Sequence, residues 1–84
     1  MVPHFRVRGH TLLISQGHPL NLVKIDLRQI AAHKQPTQMK LQLRLLRGKW
    51  TEYSMEGFRP REIARLLALL SRWEKQNHQK RGGQ

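Results

Sequence analysis

Five histidines, His4, His10, His18, His33 and His78, are the first side chains to test for chemistry. Imidazole titrates near neutral pH and binds metals, so spacing decides what each could do. None of the five makes a His-x-x-x-His step with an acid beside it, and no cysteine is present to complete a metal site. His10 and His18 flank a strand-like run and could approach one another, yet no carboxylate lies near in sequence to orient them. No glycine-rich phosphate loop, Ser/His/Asp order or paired carboxylates appear, and the whole chain has five acids. Tyr53, His10, His18 and Arg65 are residue types that small basic ribonucleases use to cut RNA without metal. Nothing in their spacing recommends them. The sequence therefore predicts no catalytic residue, no metal site and no cofactor.

The abundant chemistry is cationic. Sixteen Lys and Arg against five Asp and Glu leave a net charge of +11 on 84 residues. A surplus of that size repels itself, so it points to an anionic partner. Between residues 60 and 77, Ile63, Leu66, Leu67, Leu70 and Trp73 recur at the steps of one helix face. At about 100° per residue the opposite line carries Arg61, Arg65 and Arg72, with Lys75 and Gln79 close to it. Lys80 and Arg81 extend the set toward the C-terminus, and Arg6 and Arg8 offer a second group near the N-terminus. The partner this predicts is nucleic acid, DNA or RNA, held through phosphates. Recognition would be mostly sequence-independent, because no base-reading helix-turn-helix or aromatic stacking strand stands out.

Positioning these residues falls to a chain long enough for one modest domain. Hydrophobic residues make up 38%, too many for a disordered tail. Residues 5–8 alternate, residues 11–14 read as a strand, and residues 15–19 are a turn by composition. Residues 21–25 read as the next strand. Asp26 is a good N-cap for one or two helical turns over residues 26–32, with strand as the alternative. Residues 33–38, containing Pro36, read as a loop. Pro60 suits the first helical position, and Glu62 lies in the first turn, where the helix dipole favours an acid.

The strongest strand pattern is Met39, Leu41, Leu43 and Leu45 alternating with Lys40, Gln42 and Arg44, followed by a returning strand over residues 50–56. A three-residue turn over 47–49 pairs Leu45 with Thr51, Leu43 with Tyr53 and Leu41 with Met55. It also sets Arg44 opposite Glu52 and Lys40 opposite Glu56, each pair adding roughly 0.2–1 kcal/mol. A slip of one residue would reverse every face. On this register Tyr53 points inward and the outer face is charge-compensated, a poor surface for a polyanion. Trp50 then lies on the outer face beside Leu46. With Arg47 and Lys49 at the tip, that pair makes an alternative site for a protein partner, acidic or apolar.

The reading is α+β: an antiparallel meander of about four strands, with the C-terminal amphipathic helix packed on one face. Residues 1–77 form a single small domain, and residues 78–84 a frayed basic tail. In architecture alone this resembles many small domains, pleckstrin-like half-barrels among them, and the likeness implies no activity. Edge strands left open by a meander also allow pairing into a homodimer. No stretch approaches the ~18–20 apolar residues of a membrane helix, and the N-terminus lacks a signal-peptide core. A cytoplasmic protein without membrane contact is the expectation.

Overall fold

The computed structural model describes the backbone of residues 2–82 and the side chains of residues 2–79. Six antiparallel strands form two three-stranded sheets, β1 (His4–Arg8), β2 (Thr11–Gln16) and β3 (Asn21–Asp26), then β4 (Ile30–Thr37), β5 (Lys40–Leu45) and β6 (Trp50–Ser54). The helix α1 (Pro60–Gly82) closes the chain and packs against β4, β1 and the link between the sheets. The α+β class and the packed terminal helix are as the sequence indicates. The strand number is six rather than about four.

Local chemistry sets the turns. Gly9 has φ +60° and stands first of the two residues between Arg8 and Thr11, the place a type II′ hairpin reserves for glycine. The link between the sheets is shorter than one or two helical turns. The Asp26 carboxylate does cap it, accepting from the Arg28 backbone N–H at 3.0 Å, but only a 3-10 turn (Leu27–Gln29) forms. Ile30 then starts β4, so residues 33–37 are strand and not loop, and only Gln38 of that stretch lies in the turn to β5. Pro36 is tolerated there because β4 is an edge strand and its pairing with β5 shifts register between Lys34 and Thr37.

Leu12, Ile14 and Ile25 from the first sheet meet Ile30, Leu41 and Leu43 from the second, with Leu27 from the link and Met55 just after β6. Leu66 and Leu70 from α1 close this core at zero exposure, and Ile63, Leu67, Leu69 and Trp73 pack around them. Tyr53 also packs against the core, as its strand position predicted. The Gln16 carboxamide oxygen accepts from the Ser54 backbone N–H at 2.9 Å, which ties one sheet to the other.

The β5–β6 register differs from the expected one. Arg44 pairs with Trp50, Leu43 with Thr51, Gln42 with Glu52, Leu41 with Tyr53 and Lys40 with Ser54. Relative to a three-residue turn this is a slip of two. A two-residue slip keeps every face, so the buried leucines stay buried, but it exchanges every partner.

Candidate nucleic-acid interface

Helical periodicity places Arg61, Arg65, Arg72 and Lys75 on the side of α1 opposite its buried leucines, and all four are exposed. Among the described residues no carboxylate oxygen comes within 4.0 Å of any of them. Two acids adjoin the line in sequence: Glu62 borders the same cleft as Arg61 and Arg65 without coming within 4.0 Å of either, and Glu74 turns the other way. Its Oε2 meets His33 Nδ1 of β4 in a half-buried pair. From Arg61 to Lys75 the line is about 21 Å long, which corresponds to about six base steps of duplex. Backbone helix continues past Asn77 to Gly82, so Lys80 and Arg81 share this element, while their side chains lie outside the described residues.

Arg59, Arg61 and Arg65 come together with His4 around a cleft where Pro3 meets the start of α1. The approach is close because Gly57 has φ +84°, and a Cβ there would sit 2.9 Å from Pro3 Cγ. Arg65 also lies 6.0 Å from the Phe5 ring centroid, and a shallow groove lined by Phe5, Val7, Ala68 and Leu69 runs between Arg65 and Arg72.

Arg6 and Arg8 are exposed but belong elsewhere. They alternate with Phe5, which packs on the core, so they occupy the other face of the first sheet. Arg6 borders a cleft there with His4, Leu13, Leu20 and Leu22. The fold thus gathers the helix cations into one line and leaves Arg6 and Arg8 off it.

The hairpin residues divide as well. Leu46 is half-buried, its N–H bonded to Gln29 O at 2.7 Å, and it borders a pocket with Ile30, Arg44, Glu74 and Asn77. Arg47 and Lys49 are exposed at the tip. Trp50 is 41% exposed, with Lys34 Nζ 4.3 Å and Arg44 Cζ 5.7 Å from its ring centroid.

Charge compensation on this face is smaller than the expected register implied. Glu52 accepts from Gln42 Nε2 at 3.1 Å and lies 3.9 Å from Lys40 Nζ, whereas Arg44 and Glu56 make no ion pair among the described residues. Lys34 and Arg44 stand beside Trp50, a grouping the expected register, with Arg44 opposite Glu52, did not indicate. The signal that could have found Arg44 was the length of the 46–49 loop, which the alternation does not fix.

The histidines are scattered. His10 Nδ1 lies 3.7 Å from Asp26 Oδ1, a carboxylate brought close by strand pairing that sequence distance concealed. The same carboxylate accepts from Arg28 Nε at 3.1 Å and Nη2 at 2.9 Å, and the Arg28 hydrogen bond holds Asp26 below the ordinary carboxylate range. His18 is exposed in the β2–β3 turn. Among the described residues no three His, Asp or Glu side chains gather as metal ligands. Among the described residues no helix is long and apolar enough to cross a membrane. In comparisons with known proteins, no family model, no curated protein and no solved structure matches this chain.

Proposed function

We propose that this protein is a small nucleic-acid-binding accessory protein that holds DNA or RNA phosphates through the outer face of α1. One observation carries the reading. Arg61, Arg65, Arg72 and Lys75 form a solvent-facing line in which no described carboxylate neutralises a member. A rigid helix pays little entropy to hold such a line, and each phosphate it neutralises releases condensed counterions. Support also comes from Arg59 at the helix start and from the net charge of +11. Lys80 and Arg81 extend the line in sequence. Arg6 and Arg8 would serve as a separate, weaker contact.

Binding of this kind positions nucleic acid mainly without reading bases, because the exposed line on the helix consists chiefly of guanidinium and ammonium groups suited to phosphates. The test is the triple variant Arg61→Ala/Arg65→Ala/Arg72→Ala with a random-sequence duplex. Losing three phosphate contacts should weaken binding at low salt and lower the slope of log K against log salt by about 3. Unchanged affinity and slope would rule the helix face out.

A further inference from the structure

We propose that the outer face of the second sheet is a second site, specific for single-stranded nucleic acid, where an unpaired base stacks on Trp50 and its flanking phosphates engage Lys34 and Arg44. The proposal shares its partner class with the helix-face reading but uses different residues, so each can fail alone.

The observed register is what creates this site. Arg44 stands across from Trp50 instead of Glu52, and Glu52 faces Gln42 with its carboxylate held by Gln42 and near Lys40. The only acid on this face of β6 therefore sits one alternate position from the indole, about 7 Å along the strand, with its charge already engaged. Lys34 reaches the ring from β4, across β5. Arg47 and Lys49, both exposed, follow the same edge into the tip. An aromatic 41% open to solvent thus has two cations at its ring, Lys34 and Arg44, with Arg47 and Lys49 next along the chain.

Electrostatics select the occupant. The π-face of Trp attracts cations, and Lys34 and Arg44 lie within the ~6 Å where that attraction acts. An acidic peptide would neutralise the cations and leave the indole without a flat partner. A neutral aromatic would cover the indole and leave the cations without an anion. A nucleotide does both, with the base on the ring and Lys34 moving from the ring to a phosphate. Bases inside a duplex are already stacked and paired, so only unpaired strands can present one to a sheet side chain.

The experiment titrates the full chain with oligothymidine and, separately, with a random duplex, following tryptophan fluorescence and affinity. Oligothymidine should quench the wild type, and Trp50→Phe should abolish most of that quenching, because Trp73 packs against the core. Trp50→Ala should weaken the single strand about tenfold and the duplex less than twofold. Should Trp50→Ala fail to fold, Lys34→Gln/Arg44→Gln keeps the indole and should lower the single-strand salt slope by about 1.4. The proposal is overturned if oligothymidine does not quench, if single strand and duplex weaken equally, or if poly-glutamate quenches as strongly at the same charge. The helix triple variant separates the two readings, since it should weaken duplex and single strand together while leaving the Trp50 quenching at saturation intact.

Discussion

Asn77 is a polar side chain at 6% exposure in the stripe otherwise filled by Leu66, Leu70 and Trp73. Its Nδ2 donates to Leu27 O and Ile30 O, both at 2.9 Å, the two carbonyls that bracket the 3-10 turn. Without that amide both carbonyls lose a buried partner. Asn77→Ala should therefore cost about 2 kcal/mol and lower the melting temperature by about 10 °C. Asn77→Asp should cost more, because a carboxylate would present oxygens to oxygens. Melting of the two variants by circular dichroism checks the order, and equal stability to wild type would contradict it. Asp26 gives the pH dependence. Its folded pKa is depressed, chiefly by the Arg28 side-chain hydrogen bond, so its contribution is present above the unfolded value near 4 and is lost as pH falls through the lower folded value. Asp26→Asn should thus flatten the acid side of the melting profile as pH falls below about 4. A profile parallel to wild type would show that the carboxylate does not stabilise the link.

The helix and the hairpin show what a sequence pattern can and cannot specify. Ile63, Leu66, Leu67, Leu70 and Trp73 repeat over enough turns that only one helix orientation buries them all, so the exposed arginine line followed directly. Leu69, outside that stripe, packs as well, because the helix touches β1 of the first sheet in addition to β4 of the second. Leu70→Ala should cost about 3 kcal/mol by cavity formation, measurable by denaturant unfolding, and a cost below about 1 kcal/mol would mean α1 packs loosely. Strand alternation has period two, so it excludes a one-residue slip and is blind to a slip of two. The faces of Leu41 and Leu43 were readable for that reason. The partners of Arg44 and Trp50 were not, and the judgement that this face is neutral went wrong with them. Pro36 misled in a similar way: a proline that would forbid a central strand sits at a bulged edge, and edge status depends on pairing that local composition does not encode. His10 beside Asp26 and His33 beside Glu74 are likewise products of long-range pairing. Gly57 joins the N-terminal residues to the helix start. Gly57→Ala would combine a positive φ with a 2.9 Å approach to Pro3, and should lower stability by about 1–2 kcal/mol.

The molecule carries +11 charges on a body whose acids are mostly spoken for: Asp26 by Arg28, Glu52 by Gln42 and Lys40, Glu74 by His33. What is left is cationic on more than one face, with separate lines on α1, around Trp50 and at Arg6 and Arg8. Such a distribution destabilises the folded state at low ionic strength and favours polyanions that can neutralise it. The melting temperature should rise as salt is raised from about 10 mM to about 150 mM, where the screening length falls from about 30 Å to about 8 Å. A melting temperature that falls over that range would mean specific ion pairs outweigh repulsion. The most direct measurement follows the arginine side-chain Nε–Hε resonances by NMR as a random duplex is added. Arg61, Arg65 and Arg72 should move together and more than Arg28, whose guanidinium is already bound to Asp26. Shifts confined to other arginines, with those three unmoved at saturation, would contradict the helix face as the binding surface.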